Sequence, residues 1–179
     1  YNGMLNERFA EIARQPDAPI IGADSSFWRF VQPVTAYSLS ALVREERVRE
    51  ALDVLLAETE RIRRHGFTDS ELRRQKEDLL TWIEQVYRER ENIESRDLAD
   101  SYTDHFLEGQ PIPSVEQEYE LFQRYVPGIG LEQINGKASE WLTEDNRVVL
   151  VNAPEKVRLP EREEVLALFR EVQERELCA

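Results

Sequence analysis

Apolar positions change period several times along the chain, and each change marks an element. In residues 4–14, Leu5, Phe9, Ile12 and Ala13 fall at i, i+4, i+7 and i+8, one stripe on a short helix that Pro16 stops. A period of two follows. Tyr37, Leu39, Ala41 and Val43 alternate with Ala36, Ser38, Ser40 and Leu42, and Phe27 to Val31 forms the most apolar part of an earlier strand within 20–34. Pro33 limits that strand because it has no ladder donor. The two strands, 20–34 and 36–43, are expected to pair antiparallel.

Helical spacing returns at Glu45. Val48, Ala51, Leu52, Leu55, Leu56, Thr59 and Ile62 share one face, and Gly66 suits the left-handed position after a helix end. Arg63, Arg64 and His65 fall in the negative last turn. Thr68 and Glu71 form a capping-box pattern that opens a second long helix over 69–89, with Leu72, Leu79, Ile83 and Val86 on its stripe.

Leu98, Tyr102 and Phe106 mark a helix ending at Gly109. Ser114, with Gln117 three residues on, caps a helix carrying Tyr119, Phe122 and Val126, which Pro127 and Gly128 break. Leu131, Ile134, Ala138 and Trp141 line another, and Val165, Leu168, Phe169 and Val172 a terminal one. Between them, the β-branched run 147–151 predicts a buried strand before Pro154. The pattern reads as α+β: an antiparallel sheet with long helices packed on one face, then a mostly helical connecting region. The junction is placed in the charge run 90–96, dividing the chain into 1–92 and 93–179.

Composition narrows the classes. In 179 residues, 41% are hydrophobic and 33% charged, enough for a core beneath charged helical faces. A net charge of −13 repels phosphate backbones, so no nucleic-acid partner is expected. No apolar run is long enough for a membrane span. Tyr1 stands where an initiator methionine would, with no signal segment after it, and the expectation is that sequence precedes it. A single cysteine, Cys178, allows no internal disulfide and leaves the redox compartment open.

Candidate chemistry is sparse. His65 and His105 lie forty positions apart, and neither has a second histidine at i+4 to grip zinc from one helical face. His65 reads as a cation at a helix end and His105 as a surface histidine. Cys178 has no histidine near it in sequence, and no Gly-x-Ser-x-Gly elbow occurs. Ser25 and Ser26 read as a turn. Gly128 and Gly130 follow no expected strand, so they make no phosphate cradle. Phe27, Trp28, Arg29 and Phe30 read as core or sheet edge rather than a recognition patch. Asp and Glu fall mainly on polar helix faces, where solvated carboxylates make no general acid. No catalytic, cofactor-binding or metal-ligating residue is assigned.

One set of residues resembles a known family. Leu5 to Phe9, Glu11 to Arg14 and Asp17 to Pro19 look like the segment entering the second half of a non-catalytic domain in insulinase-like (pitrilysin) zinc metallopeptidases. The similarity continues through Tyr37, Ser38 and Leu39, the turn Arg64, His65, Gly66, Phe67 and Thr68, then Glu71, Leu72, Lys76, Leu79 and Leu80. Leu98, Ala99, His105 to Leu107, Gly109, Pro111 to Pro113, and Val148 to Val151 before Pro154 extend it over most of the chain.

The resemblance implies related α+β domains arranged as two halves around a chamber. It also implies zinc in the first domain, held by an inverted His-x-x-Glu-His motif and a later glutamate. The glutamate between the histidines activates the zinc-bound water. That motif is absent here, and Arg8 and Tyr37 do not match the surroundings of the family's substrate-binding arginine and tyrosine. The implied role is a scaffold and chamber-wall segment, inactive alone, with zinc in the parent enzyme. The implied partners are the parent's remaining domains and its peptide substrate, and the implied compartment is the bacterial periplasm. Two alternatives stay open: an independent helical interaction module using the faces of 45–65 and 68–89, and an enzyme whose site only the fold assembles.

Overall fold

The computed structural model describes residues 1–31, 34–92, 99, 102–103, 105–107, 109–143 and 145–178. Its regular elements are α1 (Asn2–Ala13), β1 (Ile20–Val31), β2 (Val34–Val43), α2 (Val48–His65), α3 (Asp69–Arg88), α4 (Val115–Tyr125), α5 (Leu131–Trp141) and α6 (Arg162–Glu174). Short 3-10 turns follow α3 and α4. The class is α+β, as the periodicity implies. Pro33, the expected limit of the first strand, lies outside the described residues, as does Leu98.

Two compact units form: Tyr1–Thr68 with Leu131–Ala179, and Asp69–Gly130. Within the second unit α4 packs along α3.

In the first unit β1 and β2 pair antiparallel from Ile20 opposite Val43 to Val31 opposite Val34. Ala23, Ser25 and Phe27 share a face with Ala41, Leu39 and Tyr37. The opposite face is polar. Ser40 Oγ donates to Asp24 Oδ1 at 2.7 Å, Ser26 and Ser38 hydroxyls lie 2.8 Å apart, and Trp28 Nε1 donates to Ser38 Oγ at 3.2 Å. Ser25 and Ser26, expected in a turn, sit mid-strand. Cross-strand hydroxyl pairs and a partner on α1 satisfy groups that would otherwise favour a turn.

Helix α1 packs along β1 and buries Met4, Leu5 and Phe9, while Ile20 is fully buried in the strand. Helix α2 begins three residues after the expected Glu45, since Glu46 takes a φ of 64° and forces a turn before Arg47. Its Leu55, Ala57 and Ile62 are buried, and Ala57 meets Leu168, Val172 and Leu177 from α6 and the tail beyond it. Gly66 ends α2 with φ 72°, as expected, donating its N–H to Ile62 O at 2.8 Å.

The second unit is a helical hairpin. Moving up α3, Lys76 Nζ donates to Pro127 O at 2.9 Å, and Trp82 meets Phe122 with ring centres 5.7 Å apart. Tyr87 then stacks on Tyr119 at 4.6 Å, and Arg90 Nε reaches Glu116 at 3.1 Å. Partner numbers fall as α3 numbers rise, so α3 and α4 run antiparallel. Ser114 Oγ accepts from Gln117 N–H at 3.3 Å and Gln117 Oε1 accepts from Ser114 N–H at 3.0 Å, the expected reciprocal cap.

The run 147–151, expected to be a buried strand, joins no ladder. Val148 is 90% and Leu150 81% exposed. Strand propensity measures fit to a pleated neighbour, and among the described residues no strand lies beside this one.

Candidate functional site

A cluster of polar and aromatic groups lies where α1, α5 and the end of α2 meet the sheet. Helix α5 brings Trp141 against Phe27 and Tyr37, stacked with ring centres 5.0 and 5.5 Å apart. Tyr1 stands edge-on to Tyr37, Phe67 and Trp141 at 6.1, 5.2 and 5.1 Å. Arg8 lies over Phe67, 5.2 Å from its centre, donates to Gly66 O at 3.4 Å, and comes within 3.7 Å of Glu58. Asn135 of α5 holds the turn after α2: its Oδ1 accepts from Phe67 N–H at 2.8 Å.

Burial pushes the Tyr37 hydroxyl above the usual phenol range, although the neighbouring Ser25 and Tyr1 oppose the shift. The Tyr1 hydroxyl is pushed up further, by burial first and by Tyr37 beside it. Both phenols therefore keep their protons near neutrality. With its rings in contact and Arg8 paired, the cluster is a packing device that joins α1, α2 and α5 to the sheet.

A second polar concentration lies on α2. Burial alone would raise the Glu60 pKa, but hydrogen bonds from Arg63 and Arg64 outweigh it and hold the carboxylate below its ordinary value. Glu58 and Glu60 are both buried, whereas the helical pattern placed carboxylates on solvated faces. Arg64 also donates to the carbonyls of Gln173 and Arg175 at 2.6 and 2.7 Å, and Arg175 grips Asp53 at 2.6 and 2.9 Å. These charges tie the chain after α6 to α2.

The sequence-level candidates do not converge on a metal site. At the C-terminal end of α2, His65 Nε2 lies 2.8 Å from Leu177 O. His105 Nδ1 lies 2.5 Å from Gln110 O, and Cys178 is exposed. Among the described residues no three His, Cys, Asp or Glu side chains gather as a metal would require. Gly128 lies in a 3-10 turn after α4, not at a phosphate-binding strand end. A shallow groove on α4, lined by Pro113, Gln117, Glu120, Leu121 and Arg124, has one carboxylate and one guanidinium and no nucleophile.

No protein-family model matches the chain. A protein named zinc protease PQQL-like from Arabidopsis thaliana is 29% identical over 131 residues, covering 73% of this chain and 11% of that protein. The chain resembles an insulinase-like peptidase segment. The crystal structure of the first half of the periplasmic protease PqqL from Escherichia coli matches 99% of this chain and 39% of its own, with TM-score 0.82 and 22% identity. The structure of PqqL itself matches with the same TM-score, 20% of that chain being covered. A predicted insulinase family protease from Yersinia pestis matches 95% of this chain and 37% of its own, with TM-score 0.78 and 13% identity. The solved structures share the fold, and the chain spans about a tenth of the curated relative. No described helix is long and apolar enough to cross a membrane.

Proposed function

We propose that this chain is a non-catalytic scaffold segment that helps wall the substrate chamber of a larger zinc-dependent metalloendopeptidase. One observation carries the reading: 99% of the chain follows the fold of the first half of PqqL. In this reading residues 1–92 continue a non-catalytic α+β domain and 93–179 connect it onward. Its partners are the remaining domains of the parent and, through them, a peptide substrate, in the bacterial periplasm.

Zinc belongs elsewhere in such a parent. His65, His105 and Cys178 do not fit it, since both histidines lie against backbone carbonyls and Cys178 is exposed near the chain end. No step of peptide hydrolysis is assigned to residues of this chain. Its contribution is mechanical: interlocked aromatic rings and the α2–α6 charge network hold a stiff wall. The apolar faces of α2 and α3, on which an independent interaction module would rely, are occupied by α6 and α4 respectively.

The test is to express the complete gene product, measure its zinc content, and assay cleavage of unstructured peptides with and without a chelator. About one zinc per polypeptide and chelator-sensitive cleavage are expected. A complete product with no His-x-x-Glu-His segment, or with neither property, rejects the reading.

A further inference from the structure

The unladdered run at 148–151 has the chemistry of a strand and the surroundings of an edge. Val148 and Leu150, two apart and so on one face of an extended chain, are 90% and 81% exposed. Val149 is 42% exposed and Val151 is half-buried. Among the described residues, no main-chain hydrogen bond involves 148–151. Yet the segment is pinned at both ends. Arg147 Nε donates to Thr143 O at 2.6 Å and its guanidinium lies 5.1 Å from the centre of the Phe169 ring, while Val157 N–H closes a turn onto Pro154 O at 2.9 Å. A fixed, β-branched run with its amides and carbonyls unused is a template for strand addition.

We propose that residues 148–151 form a β-ladder with an extended segment of the same polypeptide lying outside residues 1–179, and that this ladder couples the chain to the rest of its parent. The occupant follows from length and flanks. The likeness to the two PqqL structures covers 99% of this chain but only 39% and 20% of theirs, so most of the matched proteins' length lies elsewhere. Arg147 and Pro154 bracket the run as a charge and a ladder-breaker do beside strands kept from pairing with identical copies. The inference rests on the larger-parent reading but not on its catalysis.

The experiment is hydrogen exchange on the complete gene product, resolved over peptides spanning 147–152. The expected result is protection of these amides by about 100-fold or more over unstructured rates. In Leu150→Pro, which removes one donor, protection should fall both here and in a second segment outside 1–179, locating the partner strand. Unstructured exchange rates at 148–151 in the folded parent overturn the proposal, whether or not the variant folds. So does protection that vanishes on dilution, which assigns the pairing to a second copy. Zinc-dependent cleavage is measured on the same preparation. Cleavage without protection rejects the ladder alone, and protection without cleavage rejects the peptidase reading alone.

Discussion

The Asn6 carboxamide pairs with the main chain of Ser25 on β1: its Oδ1 accepts the Ser25 amide at 2.6 Å and its Nδ2 donates to the Ser25 carbonyl at 3.4 Å. One side-chain amide thus does for β1 what a residue of a neighbouring strand would. The Ser25 hydroxyl adds a contact of 2.8 Å to the same oxygen. Ser25 is 3% exposed, so a lost partner would not be replaced readily by water. Asn6→Ala should therefore destabilise the chain by about 1–3 kcal/mol, the cost of stranding a buried donor. Ser25→Ala keeps the main-chain pair and should cost about 1 kcal/mol. Urea denaturation of both variants checks the order, and equal midpoints would mean the main-chain pair carries nothing.

Gly66 makes a second prediction. Its φ is 72°, and a Cβ there would stand 2.4 Å from Asn135 Nδ2, inside any real contact. Asn135 cannot withdraw freely, because its carboxamide holds Phe67 N–H at 2.8 Å. Gly66→Ala should cost about 1–3 kcal/mol from backbone strain and the displaced amide together. Thermal melts of Gly66→Ala should show the loss. Gly109 has φ 70°, but a Cβ added there would meet nothing within 4 Å, so Gly109→Ala, strained but unobstructed, should lose less.

Glu60 predicts a pH dependence. Its folded pKa lies below the ordinary 4.5, so it favours the folded state fully above that value. This contribution disappears as pH falls through the lower folded pKa. Glu60→Gln should be less stable near neutrality and show a flatter stability profile as pH falls from neutrality through 4.5 and below. Denaturant midpoints measured across that range for both proteins decide it. Parallel profiles would show that Arg63 and Arg64 do not hold the charge.

The reciprocal cap at Ser114 sets the start of α4. Ser114→Ala removes the acceptor for Gln117 N–H and should cost about 0.5–2 kcal/mol. Thr68→Ala should cost a similar amount if Thr68 and Glu71 cap α3 by the same pattern. Amide exchange in the first turn of each helix gives the local reading, and unchanged exchange there would exclude a working cap.

Residues 1–179 alone should bind no zinc with submicromolar affinity and cleave no peptide. Zinc asks for about three or four well-placed ligands, and the histidines here are engaged with carbonyls. Calorimetric titration and a peptide assay on the isolated chain test this. Stoichiometric tight binding would reveal a site formed by other donors.

The sequence by itself determined the local elements, because they depend on nearest neighbours along the chain. The helix stripes, the Gly66 stop and the Ser114 cap follow from 3.6-residue spacing and backbone sterics, and the β1–β2 pairing from alternation. The likeness to insulinase-like peptidases was legible as well. Tertiary structure decided whatever needed a distant partner. Ser25 and Ser26 lie in a strand rather than a turn because Asn6 and Ser38 satisfy them from 19 and 12 residues away. Glu58 meets Arg8 of α1, and Glu60 is gripped by Arg64, which also holds the chain after α6, approaches no helical wheel records. The run at 147–151 shows the same dependence from the other side. Its side chains favour a strand, but a ladder needs a second backbone within hydrogen-bonding distance, and propensity cannot supply one.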